Sequence, residues 1–323
     1  MPEQISRRMM LGAPFAAPLA NAASAAAPKE LQWEGIFVIM QTPFLETLEI
    51  DEESLRRESD FLARGRVHGI VWPAGAGETV SLSFRERMQY SEAVVKEAKG
   101  RTTVLIGVHG VSKFEAMEYA RHAEKIGADC LHALGPSNGT TDQEIMTDYF
   151  EAIASVSRLP ICIQVNNAGM TTDFLLKLAD RIPAVKILKL ELGDVTHEVT
   201  RVLRDRKRTV IPSTGGGAMN LYAEMERGSG GTMAGAGLAD IQAEIWDLYH
   251  AGRKAESESL FNKFLRAAVL ERRTTYVLMK EILRRRGIFK TVVMRNTRRF
   301  TMDDGDMKEL DHIMETLKPQ FRV

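Results

Sequence analysis

The sequence predicts an α/β fold, namely a (β/α)8 TIM barrel with a C-terminal helical extension. From Gly35 onwards, short β-branched runs alternate with segments of roughly ten to seventeen residues that have helical periodicity. Eight such strand–helix pairs fit into about 215 residues, which favours a closed parallel barrel over an open doubly wound sheet. After Gly252 the strand pattern stops and helical periodicity alone continues, which predicts the extension.

The strands are predicted where apolar, β-branched runs are short and bounded by turn-forming residues. In chain order they are Gly35–Gln41, His68–Pro73, Thr103–Val108, Asp129–Leu134, Pro160–Val165, Val185–Leu190, Thr209–Ser213 and Gly230–Ala234. The barrel helices are predicted at Glu52–Arg64, Phe84–Ala98, Lys113–Ile126, Gln143–Ser157, Asp173–Arg181, Val195–Arg204, Ala218–Glu226 and Ile241–Tyr249. The extension is predicted to contain helices at Ala255–Val269, Thr274–Arg286 and Asp304–Leu317.

Capping residues support several of these boundaries. Asp51, Ser83 and Thr172 each precede a predicted helix, and Ser83 is followed three residues later by Glu86, the pattern of a capping box. Gly127 stands where the third helix is expected to stop.

The chain is predicted to have three parts. Residues 1–27 resemble a twin-arginine signal peptide, because Arg7-Arg8 precedes the short apolar stretch LGAPFAAPLA and small-residue cleavage sites follow it. A disordered alanine-rich tail is the alternative. Residues 28–252 form the barrel, and residues 253–323 form the extension packed on it, since no linker rich in Pro, Gly or Ser separates the two. The expected location is periplasmic or extracytoplasmic, or cytoplasmic if the signal does not function.

Composition excludes several functional classes. Lys plus Arg equals Asp plus Glu at 43 each, so no overall field attracts the protein to nucleic acid or to an anionic membrane. Cys130 and Cys162 lack CxxC spacing and lie in apolar runs, which predicts packed thiols rather than a disulfide or zinc framework. The sequence contains neither GxGxxG after the first strand nor a P-loop, which are the usual motifs of nucleotide-binding folds, so such a fold is not indicated.

Lys189 is the main candidate for chemistry. Working groups in such barrels lie at the C-terminal ends of strands and in the loops that follow. In the run VKILKL, strand alternation places Ile187 and Lys189 on one face. If that face is the barrel interior, desolvation lowers the pKa of the lysine, and the neutral amine can attack a carbonyl group. The alternative is a strand-end lysine whose ammonium group reaches water.

Other strand ends offer candidate substrate-binding groups. Backbone N–H groups of Gly75-Ala76-Gly77-Glu78, after the second strand, could approach a carboxylate without obstruction, although such a loop is more often a simple turn. The remaining candidates stand after the first, fifth, seventh and eighth strands, where a polar or anionic substrate tail could bind or where tight turns could simply enter the next helix. They are Thr42, Asn166, Ser213, Gly215 and Gly235.

Taken together, these motifs resemble the dihydrodipicolinate synthase/N-acetylneuraminate lyase family. The resemblance runs from about Gly35 to Leu317 and includes GIFVIMQTPF, GAGE, GVHGVSKFEAMEYARHAEKIGAD, Lys189 and MKEILRRRGI. It implies a (β/α)8 barrel with a C-terminal helical extension, a homo-oligomer (dimer or tetramer), and a Schiff base between a lysine and pyruvate or a related 2-keto acid. Lys189 matches the position of that lysine.

The chain also departs from the family pattern. The family loop GTTGE is GAGE here, and Gln164 occupies the position of the tyrosine that shuttles protons. The following arginine is replaced by Gly169, and no tyrosine follows the fourth strand. A typical dihydrodipicolinate synthase is therefore not expected.

Some other group must then move protons. His109 is the first choice because its unperturbed pKa suits neutral pH, although a structural hydrogen bond would also explain it. Glu78, Glu191 and Ser213 are the other candidates. His132, on the fourth strand, is interpreted as a core residue or one that faces the helices.

The predicted function is a class I aldolase or lyase that needs no cofactor and no metal. It would act on pyruvate or a sugar-acid-derived 2-keto acid, with Lys189 forming the imine, Gln164 polarising the carbonyl group and His109 moving the proton. The alternative is an exported barrel that binds a small carboxylate ligand without catalysis. A metal-dependent aldolase is disfavoured because no His and carboxylate pair stands at ligand spacing on a strand end.

Overall fold

The computed structural model describes residues 31, 33–206, 210–295 and 301–323, and shows a closed barrel of eight parallel strands in sequence order. The strands are β1 Gly35–Ile39, β2 Gly69–Trp72, β3 Thr103–Gly107, β4 Cys130–Leu134, β5 Ile161–Gln164, β6 Val185–Leu190, β7 Ile211–Thr214 and β8 Gly231–Gly235. The ring closes where β1 pairs with β8 from Gly35 opposite Gly231 to Ile39 opposite Gly235. The predicted TIM barrel is confirmed. The predicted signal peptide and Thr209 lie outside the described residues.

A helix follows each strand, and three further helices form the C-terminal extension. The barrel helices are α1 Glu52–Arg64, α2 Phe84–Ala98, α3 Lys113–Ile126, α4 Gln143–Ser155, α5 Thr172–Arg181, α6 Val195–Arg206, α7 Leu221–Glu226 and α8 Ala239–His250. The extension contains α9 Lys254–Thr274, α10 Tyr276–Arg285 and α11 Asp304–Leu317. Among the described residues, no helix is both long and apolar enough to cross a membrane.

Strand alternation divides the apolar side chains into two buried layers. The barrel interior contains Phe37, Ile39, Val71, Leu105, Cys130, Cys162, Ile187 and Met233. The larger layer lies between the strands and the surrounding helices. Both cysteines are therefore packed thiols, as the sequence predicts.

The helix starts follow the local chemistry of the sequence. Ser83 forms the full capping box with Glu86, and the Asp51 carboxylate accepts the N–H of Ser54 at 3.2 Å. The fifth helix differs from the prediction by one residue, because Thr171 rather than Thr172 is its N-cap. Thr171 has extended backbone angles and accepts a helix N–H, whereas Thr172 is already helical.

The first two helices of the extension meet at a single residue. The sequence predicts a break between Val269 and Thr274, but α9 continues to Thr274, and only Thr275 separates it from α10. Thr275 has φ 49° and ψ −126°, a left-handed conformation that a β-branched residue rarely adopts. The chain therefore turns in one residue where the sequence predicts a loop.

A buried ion pair fastens this extension to the barrel. The Lys280 ammonium of α10 lies 2.5 Å from Glu78 Oε1, and both side chains are almost fully buried. Lys280 also donates to the carbonyl of Val293 at 2.8 Å and lies over the ring of Phe44. The loop after β2 and the helix α10 are thereby held together.

Substituting Lys280 tests this attachment. Lys280→Met should lower the free energy of unfolding by about 3–5 kcal/mol, because the Glu78 carboxylate would remain buried without its cation. Urea denaturation measures the change. Lys308→Met, at an exposed position of α11, is the matched control and should change stability by no more than about 0.5 kcal/mol. Adding Glu78→Gln to Lys280→Met should restore part of the loss, and a loss that the second substitution deepens would contradict the pairing.

Candidate active site

A cavity of about 280 Å³ lies at the C-terminal ends of the strands, and we call it the inner cavity. Its wall from the barrel includes Ile39, Ala74, Gly75, Ala76, Gln164, Lys189, Glu191, Gly216, Gly217, Met233 and Gly235. Its wall from the extension includes Ala268, Glu271, Arg272, Thr275 and Tyr276. The extension therefore completes the site that the strand ends begin.

Lys189 lies inside the barrel, as strand alternation predicts. Its side chain is 4% exposed, and the Nζ atom lies 3.3 Å from Glu191 Oε1. Parallel pairing places Lys189 opposite Gln164 on one side and Ser213 on the other. The alternative of a strand-end lysine extended into water does not hold, because the side chain is buried and lines the inner cavity.

Gln164 holds the other oxygen of the same carboxylate. Its Nε2 donates to Glu191 Oε2 at 2.5 Å, while its own Oε1 is buried without a hydrogen-bond partner among the described residues. Glu191 is thus positioned by Gln164 on one oxygen and by Lys189 on the other. An amide at this position provides no proton at neutral pH, but it orients the group that can.

Gly215 makes room for that arrangement. A Cβ atom at Gly215 would lie 2.0 Å from Glu191 Oε1 and 3.0 Å from Lys189 Cε. Gly215 does not line the inner cavity, but it lines a second cavity that adjoins it over the ends of β6 and β7, so substrate binding by Gly215 stays a prediction. Its missing side chain admits the carboxylate, which is why glycine stands there.

Only part of the GAGE loop faces the inner cavity. Gly75 and Ala76 line it and open a short 3-10 turn, whose first N–H groups have no partner within the turn. The N–H groups of Gly77 and Glu78 are already bonded to the carbonyls of Ala74 and Gly75. The carboxylate-binding prediction therefore narrows to Gly75 and Ala76.

Glu78 and Thr42 have structural partners instead of cavity contacts. Besides its ion pair with Lys280, Glu78 accepts the Arg295 N–H at 3.0 Å, which leaves its carboxylate fully committed. The Thr42 hydroxyl donates to the carbonyl of Gly77 at 2.5 Å and accepts from Trp72 Nε1. Both predictions of substrate contact are corrected, since these residues hold the loop in place.

His109 does not suit the role of proton carrier. Burial, and next the nearby Arg87 guanidinium, lower the pKa of His109 to about 3, so the imidazole stays neutral at physiological pH. Arg87 donates to the His109 carbonyl at 2.8 Å, and the side chain of His109 does not line the inner cavity. The argument from an unperturbed histidine pKa was wrong because it took no account of burial.

Two more predicted residues are placed outside the inner cavity. Asn166 accepts the Gly135 N–H at 3.1 Å and so connects the loops after β4 and β5. Ser213 is buried beside Lys189 in the register, and its hydroxyl has no hydrogen-bond partner among the described residues. Neither lines the cavity, whereas Gly235 does.

His132 occupies an unexpected position. It is two residues beyond Cys130, whose side chain packs in the barrel interior, and alternation places His132 on the same face. Burial, with Lys189 next in effect, holds the pKa of His132 well below its usual range. It is a core residue, but it lies inside the barrel and does not face the helices.

The residues from the extension were not predicted. Glu271, Arg272, Thr275 and Tyr276 reach the inner cavity from the end of α9 and the start of α10. The sequence does carry one signal, since Glu271 lies three and seven residues after the buried Ala268 and Phe264 and so shares the apolar face of α9. A carboxylate at core spacing marks a functional candidate.

Glycines at two strand ends give Glu271 its space. A Cβ atom at Gly217 would lie 2.9 Å from Glu271 Oε2, and one at Gly235 would lie 3.1 Å from Glu271 Oε1. Burial raises the pKa of Glu271 to about 7. Burial, and next the carboxylates of Glu191 and Glu271, raise the pKa of Tyr276.

A second cavity of about 510 Å³, here called the outer cavity, adjoins the first over the ends of β6 and β7. The two share Glu191, Gly216 and Arg272. Among the described residues, no carboxylate forms an ion pair with Arg272, and no three His, Cys, Asp or Glu side chains come together in a way that could hold a metal ion. Arg272 therefore presents an uncompensated cation where the cavities meet.

Comparison with known proteins identifies the family. L-2-keto-3-deoxyarabonate dehydratase of Azospirillum brasilense is 25% identical over 260 residues, covering 78% of this chain and 84% of that enzyme. 4-Hydroxy-tetrahydrodipicolinate synthase of Laribacter hongkongensis is 34% identical over 171 residues, covering 52% of this chain and 57% of that enzyme. The crystal structure of dihydrodipicolinate synthase from Rhodopseudomonas palustris superposes with a TM-score of 0.78 at 25% identity, covering 88% of this chain and 97% of that one. The model of the dihydrodipicolinate synthetase family matches residues 32–317, and the chain belongs to that family.

Proposed function

We propose that this protein is a Schiff-base lyase that acts on a 2-keto acid through Lys189. The observation that carries the proposal is the Lys189 amine, buried in the wall of the inner cavity beside the Glu191 carboxylate. Family membership supports the reaction class, because the relatives include a keto-acid dehydratase and uncharacterised DapA-like lyases. A catalytic amine needs a cavity on one side and a proton acceptor on the other, and Lys189 has both.

Glu191 is the natural partner of Lys189 in forming the imine. It accepts a proton from the Lys189 ammonium, and the free amine then attacks C2 of the keto acid. The same carboxyl group returns the proton to the hydroxyl of the carbinolamine, which leaves as water and produces the iminium. Gly75 and Ala76 supply N–H groups for the substrate carboxylate at the opposite wall.

The two adjoining cavities favour a substrate longer than pyruvate. A keto acid bound to Lys189 can extend past Arg272 into the outer cavity, where Asn220 provides an amide side chain. A guanidinium binds carboxylates and hydroxyl groups well. We therefore propose a sugar-acid-derived 2-keto acid with a polar or anionic tail. Export to the periplasm and assembly into a homo-oligomer remain proposals from the sequence.

Borohydride trapping tests the role of Lys189. Incubation with pyruvate and sodium borohydride should add the reduced keto-acid mass to the peptide that contains Lys189, as mass spectrometry can show. Lys186→Ala is the matched control, since Lys186 lies on the same strand but is exposed, and it should trap like the wild type. Lys189→Ala should abolish both the adduct and turnover. Retained ligand affinity in Lys189→Ala, with no adduct in the wild type, would instead indicate the binding protein.

Gly215→Ala tests whether the placement of Glu191 matters. The added Cβ would displace the flexible end of Glu191 and press on Lys189, so the rate of adduct formation should fall by roughly 10²-fold. The melting temperature should change little, because a side chain rather than the backbone moves. Gly305→Ala, in α11 and remote from the cavity, should leave the trapping rate unchanged. An unaltered trapping rate in Gly215→Ala would show that Glu191 need not lie at its present position.

Arg272→Gln tests the proposed substrate tail. Turnover of L-2-keto-3-deoxyarabonate and borohydride trapping of 2-oxoglutarate should each reach half of their maximum only at a roughly tenfold or higher concentration of the acid, since a charged hydrogen bond contributes about 1.5–3 kcal/mol. Trapping of pyruvate, which has no tail, should be unaffected. Arg273→Gln on the same helix is the control, because Arg273 pairs with Asp306 and Glu309. Equal effects on pyruvate and on the longer acids would contradict a tail contact.

A further inference from the structure

We infer that Glu271, on the C-terminal extension, is the residue that removes and returns the C3 proton of a keto acid bound to Lys189. This inference rests on the proposed Schiff-base function and deepens it. It assigns the proton transfer to α9 of the extension. The candidates from the sequence analysis all lie in the barrel.

The location of Glu271 is the first argument. Its carboxylate lies against the ends of β7 and β8, where the missing side chains of Gly217 and Gly235 leave it room. Lys189 and Glu271 line the same cavity of about 280 Å³, one from the barrel and the other from α9. A small keto acid attached to Lys189 would therefore lie within reach of Glu271.

The second argument is that nothing neutralises this carboxylate. Among the described residues, no side chain or backbone N–H donates a hydrogen bond to it, and no cation forms an ion pair with it. Glu271 also lies in the last turn of α9, where the helix dipole disfavours a negative charge. A half-buried carboxyl group without a structural partner is destabilising unless it has another role, and burial raises the pKa of Glu271 to about 7.

Strain at the end of α9 is the third argument. Thr275 adopts a left-handed backbone conformation, its hydroxyl is buried without a partner among the described residues, and its N–H donates to the Glu271 carbonyl at 2.6 Å. Such a conformation persists only where the surrounding structure enforces it, and it is concentrated at functional sites. Here it ends α9 abruptly, so that Glu271 and Tyr276 both face the inner cavity.

The other candidate proton carriers are less suited to removing the C3 proton. Glu191 is bound by both Lys189 and Gln164, which suits it to the chemistry of the amine. His109 is neutral and does not line the cavity. Tyr276 lines the cavity, but the rise in its pKa keeps its phenol protonated, so that it can donate but not abstract a proton at neutral pH.

The proposed step balances in atoms and charge. The Glu271 carboxylate takes a proton from C3 of the iminium, and the electron pair of the broken C–H bond forms the C2=C3 double bond. The electrons of the C=N bond return to the Lys189 nitrogen, which gives a neutral enamine and a protonated Glu271. The reverse transfer restores the iminium, and water then hydrolyses it to the keto acid and Lys189.

A pH dependence follows from the groups that face Glu271. The ionisable side chains that share its cavity are Lys189 and Glu191 from the barrel, Arg272 on its own helix and Tyr276 at the start of α10. The carboxylate is the active form for removing the C3 proton. Because the pKa of Glu271 is about 7, exchange should be slow at pH 5.5 and should rise to a plateau above pH 8.

The experiment is exchange of the pyruvate methyl protons in D2O, followed by proton NMR with the full chain. Wild-type protein should exchange them, whereas Glu271→Gln should lose at least roughly 10²-fold in rate and should lose the rise near neutral pH. Borohydride trapping of pyruvate on Lys189 should remain at the wild-type level in Glu271→Gln. The matched control is Glu258→Gln, at an exposed position on the same helix, and it should behave like the wild type.

The outcomes separate this inference from the proposed function. Wild-type exchange by Glu271→Gln, with trapping intact, would overturn the assignment of Glu271 alone. Loss of trapping together with exchange in Glu271→Gln would also overturn the assignment to C3, because it would place the residue in imine formation or in folding. Glu271→Asp keeps a carboxylate and should retain measurable exchange with the same sign of pH dependence. Absence of any wild-type adduct would overturn both proposals.

Discussion

The contact between Lys189 and Glu191 is the constraint on which the rest of the site depends. A lysine inside a closed barrel must lie beside either an anion or a cavity, and Lys189 has both. The carboxylate requires space, which the absent side chain of Gly215 provides. It also requires a fixed orientation, which the amide of Gln164 provides. Gln164 on β5, Glu191 after β6 and Gly215 after β7 are therefore explained by one amine.

The extension is part of the site because it is anchored at the loop that lines it. Lys280 of α10 forms a buried ion pair with Glu78, which directly follows the 3-10 turn that begins at Gly75. Tyr276, one helical turn before Lys280, lies close to this 3-10 turn, since a Cβ atom at Gly75 would be 3.8 Å from its hydroxyl oxygen. One buried pair thus fixes the distance between the wall that would bind the substrate carboxylate and the helix that closes the cavity. Burying the two charges of Lys280 and Glu78 costs desolvation free energy, and in return the pair fixes the position of α10 relative to the loop after β2.

The sequence predicted the barrel well because its periodicity is local. All eight strands lie within the predicted runs or within one residue of them, and Lys189 faces inward as alternation requires. The errors concern partners that are distant in the chain. Glu78 resembles a ligand-binding residue until Lys280, about two hundred residues later, is seen beside it. The pKa of His109 could not be judged from the sequence, because it depends on the burial of the ring and, next, on the neighbouring Arg87.

The glycines of the barrel mouth illustrate the same limit. A run such as Gly215-Gly216-Gly217 predicts close approach to something, but it does not say to what. The structure shows that Gly215 admits Glu191 and that Gly217 admits Glu271. The open space at these strand ends is thus occupied by the protein's own carboxylates as well as by the cavity. Residues on the partner elements, rather than the glycines themselves, then carry the chemistry.

The carboxylates of Glu191 and Glu271 lie in different environments, and we propose different roles for them on that basis. Glu191 accepts a hydrogen bond from Gln164 and lies 3.3 Å from the Lys189 amine, which places it to exchange protons with that amine. Glu271 has neither kind of contact among the described residues, and burial moves its pKa to about 7. The proposed reaction needs one proton carrier beside the amine and a second, with a pKa near the working pH, on the side of the substrate. This chain has Gln164 where the family has a tyrosine. In the proposed mechanism the second proton carrier is instead Glu271, on the helix α9 that covers the barrel.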